Sequence, residues 1–144
     1  MVIVLTPREI LEKYKVVAVV GASRSLEKDA GKVPAYLKEK GYEIIPVNPK
    51  ADEILGVKAY PSLLDIPEDL AKRIEVVDVF RPPQEAMEIV RQALELKKKY
   101  GRPLVIWFQI GTATVEAVKE AKKHGLEVVS GKCMMMEHKK YFGG

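Results

Sequence analysis

The chain has one cysteine, two histidines and one tryptophan in 144 residues. A single cysteine, Cys133, excludes an internal disulfide and a cysteine-based zinc site. His124 and His138 are too few and too far apart in sequence to suggest a zinc centre. No apolar run reaches the ~20 residues that a membrane-crossing helix needs. The opening "MVIVLTPREI" lacks both a basic start and a small-residue cleavage site, so no signal peptide is expected and the cytoplasm is the expected compartment. Asparagine and glutamine are scarce while lysine and glutamate abound, a bias seen in hyperthermophiles.

What is present reads as one folded domain spanning residues 1–144. The chain is 47% hydrophobic and 31% charged, a balance that supports a core rather than disorder. The net charge of +4 is a mild excess that favours an anionic partner without naming one. The densest basic groups, "ELKKKYGR" and "KEAKKHG", fall where helices should end, and cations there offset the helix dipole. No aromatic residues alternate with them, as a single-strand nucleic-acid surface would require. Neither nucleic acid nor membrane is therefore expected as a partner, whereas a protein partner or a homo-oligomer stays open.

Strand and helix patterns alternate. "KVVAVVG" (15–21), "YEIIPVNP" (42–49), "RIEVVDVF" (73–80), "RPLVIWFQIG" (102–111) and "LEVVSG" (126–131) are short, apolar and rich in β-branched residues, as expected of strands buried on both faces. Helical patterns cover 31–41, with Pro34 in the first turn, then 82–101 and 112–125. Residues 6–14 read as a helical extension (1–14) opened by a capping box of Thr6 and Glu9. Residues 51–70 read as a Pro/Gly-punctuated connection and 132–144 as a tail. Five strands alternating with helices imply an α/β fold: a doubly wound parallel sheet in three α/β/α layers. The strand order expected is 3-2-1-4-5, which puts the reversal of order, and hence the ligand, between the first and fourth strands.

The polar and conformationally special residues collect at one edge, directly after the strands. Gly21, Ala22, Ser23 and Arg24 follow the first strand. Asn48, Pro49 and Lys50 follow the second, Phe80, Arg81 and Pro82 the third, Gln109 and Gly111 the fourth, and Cys133 the fifth. Gly21 permits a tight turn and a close backbone approach. The hydroxyls of Ser23 and Ser25 suit phosphate oxygens, Arg24 adds charge, and the following helix start points N–H groups the same way. Two phosphate-binding patterns fail. A P-loop needs G-x-x-x-x-G-K-[ST], but Gly31-Lys32-Val33 has no hydroxyl for magnesium. A dinucleotide fingerprint needs G-x-G-x-x-G and an acidic residue ending the second strand. Here Ser23 replaces the middle glycine and the second strand ends in Asn48-Pro49-Lys50. A lysine there attracts a further phosphate, which counts against NAD more than against NADP. A diphosphate near Gly21–Arg24 with another phosphate near Lys50 or Arg81 matches coenzyme A, and Phe80 with Pro82-Pro83 could lie against its adenine.

"VVAVVGAS", "GYEIIPVNPKADEILGVKAYPSLLDIP", "VVDVFRPP", "VIWFQIG" and "GLEVVSGKCMMMEH" together resemble the family of small stand-alone CoA-binding proteins. They are also similar to the CoA-binding domain of NDP-forming acyl-CoA synthetases and, more distantly, to the succinyl-CoA synthetase alpha subunit. The resemblance implies a Rossmann-like fold with CoA across the strand ends. Gly21, Ala22 and Ser23 would hold phosphate, and Asn48, Pro49 and Lys50 would line the nucleotide side. Phe80, Arg81 and Pro82 would follow the nucleotide or pantetheine arm, with Gln109 and Gly111 facing the ligand and Cys133 at the last strand's mouth. Many relatives carry serine where this chain has Gly31, so Gly31 is given no polar role. The ligases of this group also need a phosphorylated histidine domain and an ATP-grasp module, which 144 residues do not accommodate. The expected function is therefore binding of CoA or an acyl-CoA with no complete reaction of its own. The alternatives are an NADP-linked oxidoreductase and a CoA-binding subunit of a split acyl-CoA ligase. Cys133 reads either as a small buried hydrophobe or, beside Lys132, as a thiol able to form a mixed disulfide with CoA.

Overall fold

The computed structural model describes residues 4–143. The valine-rich runs become short strands with almost no exposed side chain, because helices cover both faces of a parallel sheet. These are β1 (Val16–Val20), β2 (Glu43–Val47), β5 (Val76–Val79), β6 (Val105–Phe108) and β7 (Glu127–Ser130). The helices are α1 (Pro7–Lys13), α2 (Asp29–Glu39), α3 (Glu68–Ala71), α4 (Ala86–Tyr100), α5 (Val115–Lys123) and α6 (Met134–Phe142). The capping box at the start of α1 forms as expected: the Glu9 amide donates to Thr6 Oγ1 at 3.2 Å and the Thr6 amide to Glu9 Oε1 at 2.9 Å. The fold is the expected Rossmann-like, three-layer α/β domain.

The strand order differs from the expected one. All neighbours are parallel in the order β2-β1-β5-β6-β7, which is 2-1-3-4-5 when only these five strands are counted. The cause is the side on which the second crossover runs. The connection after β2 carries a two-residue hairpin, β3 (Glu53–Ile54) with β4 (Val57–Lys58), and then the short α3. Its apolar residues Leu63, Ile66, Ala71 and Ile74 pack with α4 on the face opposite α2. A right-handed crossover on that face carries the chain back over β1 and places β5 on its far side. The alternation of strands and helices is the same for either order. The informative sign is β5 itself, whose four residues are all fully buried, as no edge strand would be.

Two cores result. One face joins α1, α2 and α6 through Ile10, Leu37, Val17, Trp107 and Met134. The other joins α4, α5 and the crossover through Val90, Ala117, Leu63 and Phe108. The segment expected as a C-terminal tail is the helix α6, because Met134 and His138 recur at helical spacing and are both buried. Tyr42, the residue before β2, donates to the Leu11 carbonyl at 2.6 Å, which ties α1 to the sheet. Burial pushes its phenol up to about 12.

Candidate nucleotide site at the strand ends

The order 2-1-3-4-5 moves the reversal point to between β1 and β5, where ligands of doubly wound sheets bind. Gly21 ends β1 there. Its φ is +93° and a Cβ on it would lie 2.8 Å from Arg81 Cδ. Glycine is thus required twice, for the left-handed backbone and for the arginine stem crossing it. Its amide donates to the Val47 carbonyl at 2.9 Å, which joins the ends of β1 and β2.

The loop that follows is folded back on the first turn of α2. The Ser23 amide donates to the Ala30 carbonyl at 3.0 Å, the Ser25 amide to Ser23 Oγ at 3.0 Å, and the Lys28 amide to the Ser25 carbonyl at 3.2 Å. Gly31 lies beneath: a Cβ on it would come within 2.1 Å of the Ser25 carbonyl oxygen. The absence of a side chain at Gly31 is therefore what lets the loop close. Lys28 precedes α2 with no side-chain cap, so neither serine caps this helix. Ala22 is fully buried and Arg24 is exposed.

A cleft of about 180 Å³ opens beside this turn on the α4 side, lined by Gly21, Pro49, Ser62, Arg81, Glu85 and Glu88 among others. Ligand pockets that enclose a drug-sized molecule run from about 300 Å³ upward. This one admits a diphosphate-sized group and leaves the rest of a larger ligand on the surface. Arg81 Nε donates to both Glu85 oxygens at 3.1 Å, and its Nη2 to Oε2 at 2.7 Å. This hydrogen bond to Glu85 raises the guanidinium pKa further. Glu88 in turn faces Arg91 at 3.7 Å. A larger groove of about 600 Å³ between the later turns of α4 and α5 is lined by Leu94, Lys97 and His124. It contains none of the strand-end residues.

The other expected residues lie elsewhere on the edge. Asn48 does not line the cleft: its Nδ2 donates to the Ala22 carbonyl at 2.8 Å and its Oδ1 accepts from the Lys50 amide at 2.7 Å. Lys50 and Pro82 are exposed, and Phe80 is half-buried against the α2-side core. Gln109 is buried, with Oε1 accepting from the Met134 amide at 3.1 Å. It opens α6, a backbone role that the expectation of a ligand-facing side chain did not include. Gly111 forms the exposed turn after it, at φ +78°. Cys133 is a free, half-buried thiol packed against the α2-side core.

Glu85, Glu88 and Ser62 are cleft residues that the sequence reading missed. Glu85 had a signal, the i, i+4 spacing from Arg81. Ser62 comes from the irregular crossover and had none. Also missed was Asp78, fully buried in mid-β5 opposite Val19 and Trp107. Neither of its oxygens has a hydrogen-bond partner among the described residues. Desolvation pushes its carboxyl well above the usual carboxylate range, because burial disfavours the charged form.

A doubly wound sheet with a glycine turn and a charged cleft at its reversal point defines a Rossmann-like domain of the nucleotide-binding type. Within that class the chain belongs to the CoA binding domain family, whose model matches residues 15–139. It is 36% identical to the uncharacterized protein YneT of Bacillus subtilis (strain 168), over 91% of this chain and 90% of that protein. It is 35% identical to an ADP-forming acetate–CoA ligase II of Archaeoglobus fulgidus, over 79% of this chain but only 17% of the ligase. A solved structure of a hypothetical protein from Pyrococcus horikoshii OT3 superposes with a TM-score of 0.86 at 48% identity, covering 96% of this chain and 94% of that one. Among the described residues no helix is long and apolar enough to cross a membrane, and no group of three or more potential metal ligands comes together.

Proposed function

We propose that this protein binds CoA, or an acyl-CoA, across the C-terminal edge of its sheet and performs no complete reaction alone. The observation that carries this is the close crossing of Arg81 over Gly21 at the reversal point, beside a cleft of diphosphate size, in a chain of the CoA binding domain family. Gly21 and the loop Ala22, Ser23 and Arg24 take the pyrophosphate, with Arg81 as its cation. Asn48 holds that loop, Pro49 walls the cleft, and exposed Lys50 meets the ribose 3′-phosphate. The pantetheine arm then runs past Phe80 and Pro82 toward Gln109, Gly111 and Cys133.

Calorimetric titration tests this. CoA should bind, and dephospho-CoA should bind roughly tenfold more weakly, as loss of one phosphate–lysine contact would give. No binding of CoA would sink the reading, while equal binding would remove the role of Lys50. The reading extends to thiol exchange: the Cys133 thiolate attacks CoA disulfide, one sulfur joins Cys133 as a mixed disulfide, and the other leaves as free CoA thiolate. Intact mass should then rise by one CoA under oxidising conditions and fall back with reductant, and no gain would remove the exchange. The second reading, a CoA-binding subunit of a split acyl-CoA ligase, draws on the ligase similarity over 17% of that protein's length. It requires an ATP-grasp protein to co-purify. Binding of NADP in place of CoA would point instead to an oxidoreductase.

A further inference from the structure

The cation best placed for a phosphate is already engaged. Two N–H groups of Arg81 are spent on Glu85, whose carboxylate accepts at 3.1, 3.1 and 2.7 Å. Glu85 itself lines the cleft, and so does Glu88. One arginine and two glutamates leave the lining with more negative than positive charge. Both Arg81 and Glu85 are more than two-fifths exposed, so their pairing is weak and exchangeable. The arginine stem is meanwhile pressed against Gly21, which limits where the guanidinium can go.

We infer that Glu85 is a built-in competitor for the anion: its carboxylate occupies Arg81, and phosphate oxygens must take that place to bind. This rests on the CoA reading for the identity of the ligand, but the competition itself concerns any diphosphate. Glu85 thereby sets the affinity of the site and its preference. Only a ligand with enough phosphate charge to outbid a carboxylate engages Arg81, and an uncharged fragment gains nothing from it. A rival role has the opposite sign. Were Glu85 to orient Arg81 so that its free edge faces the ligand, removing Glu85 would weaken binding.

The test is calorimetry on the full chain and on Glu85→Gln, with CoA, inorganic pyrophosphate and uncharged pantetheine as probes at low salt. Glu85→Gln should bind CoA and pyrophosphate roughly twofold to fivefold more tightly, the range expected when an exposed ion pair no longer has to be broken. Pantetheine affinity should not change, which a general loosening of the fold would not produce. If the natural chain binds CoA and Glu85→Gln binds it equally or more weakly, the competition is overturned and the CoA reading stands. If the natural chain ignores CoA but Glu85→Gln gains pyrophosphate binding, the competition stands and the CoA reading falls. If neither protein binds either anion, both fall. Should Glu85→Gln fail to fold, Glu85→Ala, which likewise removes the carboxylate, replaces it with the same outcomes.

Discussion

At the end of β1 the chain divides the strand-end edge into two flanks of different character. On the α2 and α6 flank, polar side chains are spent on backbone: Asn48 on Ala22, Gln109 on Met134, Trp107 Nε1 on the Lys132 carbonyl at 2.8 Å. That flank is closed, and it even buries a carboxyl without partners. On the α4 flank the side chains bond to one another around an opening, as Arg81 does with Glu85. A side chain bonded to backbone holds a loop and is costly to release. A side chain bonded across solvent to another is exchangeable. On the CoA reading proposed above, the closed flank builds the phosphate turn and carries the pantetheine arm, and the open flank takes the pyrophosphate.

The largest effect should come from opening the closed flank. Gly31→Ala puts a Cβ where the Ser25 carbonyl oxygen now lies. Backbone, not a flexible side-chain end, must then give way, so the loss of stability should be about 3 kcal/mol, at the upper end for overpacking. The measurement is the denaturant midpoint, with CoA binding lost alongside. Unchanged stability would show that the loop moves freely and that the two flanks are not distinct.

Asp78 comes next. Its folded pKa is raised, so the fold favours its protonated form. That stabilisation is full below the unfolded pKa of about 4 and is lost as pH rises toward the folded value. Asp78→Val removes the orphaned carboxyl and should stabilise the protein by about 1–3 kcal/mol at pH 7. The gap between the two proteins should widen from pH 4 upward in urea titrations. A variant that is less stable at every pH would show that Asp78 has a partner the closed flank supplies.

A pair of smaller changes sharpens the contrast. Gln109→Leu removes the acceptor of the Met134 amide and should cost about 1 kcal/mol of stability, with affinity for inorganic pyrophosphate unchanged. Arg81→Ala should change stability by less than about 0.5 kcal/mol, as exposed substitutions do, while CoA affinity falls roughly tenfold. Melting temperature and calorimetry read the two separately. Effects exchanged between the two variants would reverse the assignment of the flanks.

How much of this was legible in the sequence follows the same division. The strands, the capping box at Thr6 and the clustering at one edge follow from local pattern, which short-range sterics and periodicity control. The strand order does not, because alternation carries no record of the face on which residues 48–72 cross. Nor does the fate of Asn48 and Gln109: an amide at a strand end is equally suited to a ligand or to backbone, and only its distance from Ala22 or Met134 decides. Asp78 escapes notice because one acid in the apolar run "VVDVF" leaves the pattern of a strand buried on both faces intact, and the run carries no record of what surrounds the carboxyl. Gly31 was read for its missing hydroxyl, when its missing Cβ is what the loop uses.

The smallest effect tests how α6 is docked on the closed flank. His138 is buried there, with Nδ1 2.7 Å from the Tyr36 hydroxyl and rings of Tyr36, Tyr42 and Phe142 around it. Desolvation lowers its pKa, and Lys15 and Lys40 lower it further. A base with a depressed folded pKa favours the fold in its neutral form. Its contribution is complete above the unfolded value of about 6.5 and fades as pH falls through the folded one. A proton added at Nδ1 would also end any hydrogen bond that this nitrogen accepts from the Tyr36 hydroxyl. His138→Gln should therefore flatten the fall in melting temperature between pH 7 and pH 5 relative to the natural chain, while leaving CoA affinity at pH 7 as it was. If the pH dependence is the same in both proteins, the histidine is not what couples α6 to acid. If CoA affinity moves with it, the docking of α6 also shapes the proposed path of the pantetheine arm to Cys133.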